Sequence, residues 1–377
     1  MRKLLFGLSA LILVSCGDRE SSDQANAYSD FTVVSDTVMV DSKDEILMAA
    51  TTGYGHAIDP GNERLYHWDS KSSKIEVVDL NKLEIVEKIP AEKEGPDGVG
   101  QNAYYMKYVG KDQLAFIGWG EKMAVTDLRG KVIKKISLEE PWMMEGLEER
   151  STLSLMEFSE DGQKAYSSIS NFQKLDSDIY IIDFENQTRT KIELPEFDKR
   201  EKYRVSWKSD DGRSMSMTFP GLNMVNWQGK NLFYTTSHNS IYRYDPEKDS
   251  LTLHQYENVL TPSEKTGTYK NEVSSQEEMQ KVSAEIREEV NFTKVLWDDK
   301  NEVFYRFASY ALPKVADEEI RYRSFISILS PEFELMGEKE ITDLGIKVPN
   351  PQFVKDGKIY LYLNLDDEMA FVRLSIK

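Results

Sequence analysis

A repeated unit of apolar strands constrains the fold of this chain more than any other feature of its sequence. The first copy has an apolar run at Arg64–Trp68 and a second at Lys74–Leu80. A turn that begins at Asp79 leads into a third run, Leu83–Ile89. The leading runs of five further copies are Gln113–Ile117, Phe158–Tyr166, Lys230–Tyr234, Glu302–Phe307 and Gly357–Tyr362. Short strands repeated at intervals of about 40–50 residues are typical of β-propeller blades. The sequence therefore predicts an all-β fold, a six-bladed β-propeller.

Four aspartates stand at the start of equivalent loops in successive copies, namely Asp79, Asp127, Asp183 and Asp245. A carboxylate at such a position can accept hydrogen bonds from backbone N–H groups two residues further on. We therefore interpret these residues as turn formers and not as catalytic groups.

The first strand-like segment, Phe31–Val40, has no partner within the repeats, whereas the sixth copy ends at Lys377 after only three strands. An open sheet edge is a site for unwanted pairing, and propellers protect such edges by closing the ring. We therefore expect this N-terminal segment to complete the last blade and to close the propeller.

The interval between the fourth and fifth copies contains a predicted helical insertion, about residues 262–292. Ser275 and Glu278 fit a capping box, and an apolar stripe recurs at helical spacing at Met279, Val282, Ile286 and Val290. We expect this amphipathic helix to pack on the side or mouth of the propeller, with a partner protein as the alternative. A second excursion, residues 196–223, carries a cluster of basic residues beside Trp207.

The only cysteine, Cys16, follows a basic start and the apolar run Leu4–Val14. Eleven helical residues cover roughly 16 Å, too short for a hydrocarbon core of about 30 Å, so the run fits a secretory signal better than a membrane span. Leu13 to Cys16 resembles the site at which bacterial lipoproteins are cleaved and acylated. The alternatives are an ordinary cleaved signal or a buried strand with a chance cysteine.

The predicted organisation is a lipoprotein signal peptide (1–15), a flexible lipidated tether (16–29) and the propeller domain (30–377). Gly17 follows the cysteine, so the aspartate that retains many lipoproteins in the inner membrane is absent from that position. We therefore expect attachment to the outer membrane through palmitate-type lipid at Cys16, on its periplasmic or its surface side.

Composition excludes several classes of partner and site. The formal net charge is −18, which argues against nucleic acid and against a polybasic membrane contact. No cysteine follows Cys16, so the folded region has no disulfide or thiolate zinc site. The four histidines are dispersed along the chain, and we predict no metal and no cofactor.

The segment Val290–Asp299, followed by Glu302–Phe307 with Tyr305-Arg306-Phe307 at its centre, resembles a known family. That family, the domain of unknown function 4221 family, consists of lipoproteins of unknown function built as six-bladed β-propellers. The resemblance is one of overall plan plus this stretch, and it covers most of residues 30–377. It implies a fold and does not imply a reaction.

Candidate ligand-binding residues follow from the propeller geometry, because loops and inner strands of several blades converge at the central mouth. The candidates combine aromatic surface with hydrogen-bond donors suited to an anionic or sugar-like group: His67, Trp68, Trp119, Trp207, Tyr305 and Arg306. The competing interpretation is that the aromatic rings fill the space between blades and that Arg306 pairs with an acidic neighbour. No catalytic residue is predicted.

The leading functional hypothesis is an outer-membrane-anchored propeller that binds a small ligand or an envelope protein without catalysis. The alternative is a propeller hydrolase or lyase that acts on carbohydrate or peptide through a site assembled from several blades. A third possibility is a structural scaffold with an exposed apolar patch.

Overall fold

The protein is all-β in the computed structural model, which describes residues 28–43, 45, 47, 55–110, 112–118, 122–171, 174–314, 319–346 and 352–377. These residues form six four-stranded sheets and one smaller sheet of three strands. Neighbouring strands of each four-stranded sheet are antiparallel. The predicted signal peptide, most of the predicted tether and Cys16 lie outside the described residues.

The first three four-stranded sheets follow one another along the chain. Sheet 1 consists of β2 (His56–Ile58), β3 (Arg64–Asp69), β4 (Lys74–Asp79) and β5 (Glu84–Pro90). Sheet 2 consists of β6 (Ala103–Val109), β7 (Gln113–Gly118), β8 (Lys122–Asp127) and β9 (Val132–Ser137). Sheet 3 consists of β10 (Thr152–Phe158), β11 (Lys164–Ser170), β12 (Ile179–Asp183) and β13 (Thr188–Ile192).

The remaining three four-stranded sheets continue this order. Sheet 4 consists of β16 (Leu222–Trp227), β17 (Lys230–Thr235), β18 (Ile241–Asp245) and β19 (Ser250–His254). Sheet 5 consists of β21 (Asn291–Asp298), β22 (Val303–Ala311), β23 (Tyr322–Leu329) and β24 (Leu335–Glu340). Sheet 6 consists of β25 (Gln352–Lys355), β26 (Lys358–Leu365), β27 (Glu368–Ile376) and the N-terminal strand β1 (Val33–Met39).

The N-terminal strand β1 forms the outer edge of sheet 6. It runs antiparallel to the last strand, with a register from Val33 opposite Ile376 to Met39 opposite Ala370. The guanidinium of Arg373 pairs across this edge with the carboxylate of Asp36. The pairing of the N-terminal segment with the last module, expected from the sequence, is therefore observed.

The core consists of apolar clusters that lie between sheets consecutive in chain order. Leu114 and Phe116 of sheet 2, for example, share a cluster with Tyr66 and Trp68 of sheet 1. Corresponding clusters join sheets 2 and 3, 3 and 4, 4 and 5, and 5 and 6. A further cluster joins sheet 6 back to sheet 1. This propeller-like packing covers both faces of each middle strand, which explains why those strands appear in the sequence as unbroken apolar runs.

The two ends of the sheets differ in their connections. Because the strands of each sheet follow in order and are antiparallel, the turns before the second and fourth strands lie on one side, which we name the turn side. The aspartates predicted as turn formers lie there: the Asp127 carboxylate, for example, accepts hydrogen bonds from the amides of Arg129 and Lys131 at 2.9 and 3.0 Å. The equivalent contacts at Asp79, Asp183 and Asp245 confirm the prediction.

The opposite side, which we name the connection side, carries the links between sheets, and two of these links are long insertions. The first contains a 3₁₀ helix (Pro195–Tyr203), β14 (Val205–Lys208) and β15 (Met215–Thr218). The second contains β20 (Glu272–Val273) and a helix, α2 (Gln276–Arg287), whereas a single-turn helix, α1 (Pro141–Met144), precedes sheet 3. Strand β14 pairs with β15 and β20, so the two insertions together build the three-stranded sheet.

The predicted helix is present, but its extent and packing differ from expectation. Ser275 caps its N-terminus, with its hydroxyl accepting from the Glu278 amide at 3.0 Å. Met279 and Val282 pack on the three-stranded sheet of the insertions and not on a four-stranded sheet. Val290 lies beyond the end of the helix in a separate cluster, because the chain has already turned into β21. No helix of the described residues is long and apolar enough to span a bilayer.

Candidate functional site

A short two-stranded wall on the connection side organises the candidate site. It consists of residues 236–239, the link between β17 and β18, and residues 263–265 of the second insertion. The Asn239 amide donates to the Ser263 carbonyl, and the Lys265 amide donates to the Ser237 carbonyl, each at 2.9 Å. The two ends of the wall line different cavities: Thr236 and Lys265 line one, and His238, Asn239, Ser263 and Glu264 line the other.

Arg306 of sheet 5 donates hydrogen bonds to the backbone carbonyls of this wall. Its Nη1 donates to the Asn239 carbonyl at 2.7 Å, and its Nη2 donates to the carbonyls of Thr235 at 2.9 Å and His238 at 3.4 Å. Its Nε donates to the Thr293 carbonyl at 3.3 Å, and the residue is 1% exposed. The guanidinium of the sequence candidate Arg306 therefore binds backbone carbonyls and positions the wall.

One cavity, which we name the cationic pocket, has a volume of about 280 Å³. It lies between the insertions and sheets 4 and 5, and its lining residues are Tyr203, Thr218, Phe219, Pro220, Thr236, Lys265, Ile286, Arg287, Asn291, Ser309 and Tyr322. The charged members of this lining, Lys265 and Arg287, are both basic. The remainder provides hydroxyls, an amide and aromatic rings, a combination that suits an organic anion.

Lys265 is the dominant charge in this pocket. It is 4% exposed, and its Nζ donates to the carbonyl of Ile286 at 3.3 Å. Burial lowers the pKa of its ammonium group to about 8, although the nearby Glu289 carboxylate acts in the opposite direction. Within the described residues no carboxylate forms a salt bridge with it, although a buried charge is normally paired.

The 3₁₀ helix is held against the pocket by buried polar contacts. The Tyr203 hydroxyl donates to the Lys265 carbonyl at 2.8 Å, and Arg200 donates from Nη2 to the Pro220 carbonyl at 2.8 Å. Burial lowers the pKa of the Arg200 guanidinium to about 10. Gly267 has a φ of 60°, and a β-carbon there would lie 2.4 Å from the Tyr203 ring, so this contact requires glycine.

The second cavity, which we name the polar pocket, borders the other end of the wall and has a volume of about 420 Å³. Its lining residues are Glu196, Lys199, His238, Asn239, Ser240, Gln255, Tyr256, Glu257, Asn258, Thr261, Pro262, Ser263 and Glu264. Three glutamates accompany one lysine, and Lys199 pairs with two of them, Glu196 and Glu264. The net charge of this lining is negative, opposite to that of the cationic pocket.

His238 lies in the wall and lines the polar pocket. It is 2% exposed, and neither ring nitrogen has a hydrogen-bond partner among the described residues. Burial, followed by the charges of Arg306, Lys199 and Arg200, lowers the pKa of the imidazole to about 3, so the ring is neutral at physiological pH. Each buried polar atom without a partner costs about 1–3 kcal/mol, which marks this histidine as unusual.

Glu338 of β24 fixes the outer loop of the polar pocket. Its Oε1 accepts from the Asn258 side-chain amide at 2.8 Å and from the Thr261 hydroxyl at 3.2 Å. Its Oε2 accepts from the amides of Val259 and Leu260, each at 2.6 Å. One carboxylate therefore binds four consecutive residues, of which Asn258 and Thr261 line the pocket.

Two aromatic candidates lie in the core between sheets. The Tyr305 hydroxyl donates to the Asp298 carboxylate at 2.9 Å, and the ring packs between sheets 5 and 6. Burial raises the pKa of this phenol. The Trp68 indole donates to the Ala103 carbonyl at 3.3 Å, with its ring edge-on to Phe116 between sheets 1 and 2. Both residues therefore occupy the inter-sheet positions of the competing interpretation.

The remaining candidates are dispersed. His67 is fully buried in sheet 1, where its Nδ1 lies 2.9 Å from the Glu76 carboxylate, which in turn pairs with Lys88. Trp207 lies on β14 and packs partly buried against the cluster beneath α2. Trp119 lies outside the described residues, as does Cys16. The structure thus places Arg306 beside the two pockets and Trp207 within the neighbouring insertion.

The sequence did not point to the residues that line the two pockets. Lys265 and His238 stand in segments without a motif, and their burial depends on the insertions folding back on sheet 4. The basic residues of the excursion 196–223 were the one available signal. Lys199 lines the polar pocket, and Arg200 donates to the carbonyl of Pro220, which lines the cationic pocket. Within the described ranges, no group of three or more His, Cys, Asp or Glu side chains is arranged to hold a metal ion.

Comparisons with known proteins agree on family and fold. The profile of a family described as "Domain of unknown function (DUF4221)" matches residues 29–340. The structure is similar to a member of this family from Bacteroides vulgatus, with a TM-score of 0.60 and 15% identity over 93% of this chain and 99% of that one. It is also similar to a putative exported protein from Bacteroides fragilis, with a TM-score of 0.50 and 12% identity over 92% and 95% of the two chains. No curated protein matches this sequence.

Proposed function

This chain belongs to the DUF4221 family, and we propose that it is a lipid-anchored propeller of the bacterial outer membrane that binds a small organic anion in the cationic pocket without catalysing a reaction. The observation that carries the proposal is Lys265, a buried ammonium group that has, among the described residues, only a backbone carbonyl as its hydrogen-bond acceptor. A carboxylate or phosphate ester would supply the missing counter-charge, and charge-assisted hydrogen bonds of this kind are the strong ones.

The other lining residues narrow the ligand to an anion that carries a ring. The side chains of Phe219 and Tyr322 are partly exposed at the pocket and offer aromatic surface. Thr218, Thr236 and Ser309 offer hydroxyls for the polar edge of such a ligand. Small-molecule sites commonly combine an apolar lining with a few convergent polar groups in this way.

Titration calorimetry of the detergent-solubilised full-length protein with benzoate tests the proposal, and benzamide serves as the neutral isostere. We expect saturable binding of benzoate, weaker binding of benzamide, and a loss of benzoate affinity of about tenfold or more in Lys265→Met. Lys270→Met removes an exposed lysine of the same insertion and provides the matched control. Equal affinity for the two probes, or unchanged benzoate binding in Lys265→Met, would refute the anion site.

The same proposal includes a closed ring of six blades. Three features support it: six four-stranded sheets in chain order, an apolar cluster between the last sheet and the first, and an N-terminal strand paired with the C-terminal one. Closure places both long insertions on one side of the ring. Removal of residues 1–40 should then expose the edge of β27 and leave the protein aggregated.

Anchoring through Cys16 is the part of the proposal that rests on the sequence. Its support is the signal-like run before the cysteine and the polar stretch after it. Metabolic labelling with an alkyne analogue of palmitate should label the wild-type protein and not Cys16→Ala, and fractionation should move that variant out of the outer membrane. A labelled Cys16→Ala protein would contradict the assignment.

A further inference from the structure

The polar pocket contains a buried group whose hydrogen-bonding capacity the protein itself does not use. A neutral imidazole has one N–H donor and one nitrogen acceptor, and in His238 both lack partners among the described residues. Buried polar atoms in folded proteins are nearly always paired with protein, water or ligand. A hydroxyl group can accept from the N–H of such a ring or donate to its other nitrogen, so a ligand with several hydroxyls matches this ring in either tautomer.

The charges around the pocket select against an anion. Glu196, Glu257 and Glu264 are lining carboxylates, and the one lysine, Lys199, already pairs with two of them. An anionic ligand in this pocket would be repelled by the lining carboxylates, because the one lysine of the lining is already paired. An uncharged ligand whose hydroxyls donate to carboxylates avoids that repulsion.

Neutral side chains complete the site. The Gln255 side-chain amide donates to the Glu196 carboxylate at 3.1 Å and to the Ser240 hydroxyl at 3.2 Å, which holds the two sides of the cavity together. Tyr256 is buried and provides an apolar ring in the lining. Amide, hydroxyl and carboxylate groups beside an aromatic ring suit a ligand that has polar edges and an apolar face.

We propose that the polar pocket is a second binding site, that it takes an uncharged polyhydroxylated ligand such as a sugar, and that His238 bridges ligand hydroxyls at its base. The site is separate from the cationic pocket, because the linings of the two pockets share no residue. The proposal therefore does not depend on anion binding by Lys265.

The test uses three sugars of one shape and different charge: D-glucose, D-glucuronate and D-glucosamine. Titration of the full-length protein, followed by calorimetry or saturation-transfer NMR, should give saturable binding of glucose and weaker binding of glucuronate. His238→Phe keeps a ring of similar shape beside Phe197 and removes both nitrogens, so the variant should fold and lose glucose affinity by about tenfold or more.

Two variants serve as controls. His254→Phe alters a histidine whose ring packs against Phe333 and is not part of the lining of the polar pocket, and it should leave glucose binding unchanged. Lys265→Met alters the cationic pocket and should also leave glucose binding unchanged. Three results would each overturn the proposal: no saturable binding of any of the three sugars, unaltered glucose affinity in His238→Phe, or tighter binding of glucuronate than of glucose.

Discussion

The cationic and polar pockets share one wall but differ in charge. In the cationic pocket the charged lining residues are Lys265 and Arg287, whereas in the polar pocket three glutamates outnumber Lys199. Most of these charged residues come from the two insertions and the short segments next to them and not from the strands of the six sheets. The comparison indicates that the sheets supply a rigid frame and that the inserted segments determine what each pocket can bind.

The largest expected effect comes from removing the side chain that supports both pockets. In Arg306→Ala the carbonyls of residues 235, 238 and 239 lose their donor, and each buried acceptor left unpaired costs about 1–3 kcal/mol. We expect the free energy of unfolding to fall by at least about 3 kcal/mol in urea titrations, with loss of both benzoate and glucose binding.

The matched control is Arg323→Ala, which removes an exposed arginine on the neighbouring strand. Its exposed ion pair with Glu340 should contribute little to stability, because solvent screens it. An Arg306→Ala protein that loses one ligand and retains the other would show that the wall is not the shared support.

Replacement of Glu338 should have a smaller effect, and it should affect the polar pocket alone. Its carboxylate accepts four hydrogen bonds from residues 258–261, so Glu338→Ala should lower stability by about 2 kcal/mol and weaken glucose binding, with benzoate binding unchanged. Glu340→Ala, on the same strand, is the control. Equal loss of both ligands in Glu338→Ala would mean that the outer loop supports both pockets.

The pH dependence of ligand binding should separate the two pockets. Because burial lowers the Lys265 pKa to about 8, benzoate affinity should fall by roughly tenfold per pH unit above that value, whereas glucose affinity should stay constant up to pH 9.5. The unfolded chain holds this proton up to about pH 10.5, so Lys265 itself makes folding more favourable as pH rises from 8 to 10.5. A pH-independent benzoate titration would contradict the role of its ammonium group.

The smallest effect is expected on the turn side, far from both pockets. Asp127→Ala removes the acceptor for two backbone amides and should lower the free energy of unfolding by about 1 kcal/mol, measured in urea. Asp127→Asn retains an acceptor oxygen and should lose less. Neither variant should change benzoate or glucose affinity, and a change in either would show that the turn side influences the pockets.

The strands of the repeats could be predicted because their sequence reports their surroundings. Leu114 to Ile117 of β7 are all buried between two sheets, so they form an unbroken apolar run. The first strand of sheet 1, β2, was missed because it has three residues, too few to show a pattern. The N-terminal strand β1 was predicted because its strand-like segment had no other partner within the repeats.

The pockets could not be predicted from sequence, for a physical reason. Arg306 was identified by its type, but its partners are backbone carbonyls some seventy positions earlier, which carry no side-chain signal. The burial of Lys265 depends on the 3₁₀ helix and α2 folding back on sheets 4 and 5. The hydrophobic periodicity of a sequence indicates which face of an element is buried, but it does not identify the distant element that covers that face.

The most direct test of two independent sites is a two-ligand titration of the wild-type protein. Glucose is titrated into protein alone and into protein saturated with benzoate, and its dissociation constant is measured by calorimetry in both cases. Separate pockets at the two ends of the wall predict the same constant in the two titrations. A glucose affinity that falls in proportion to the benzoate concentration would mean that the ligands compete for one site, and would contradict the account.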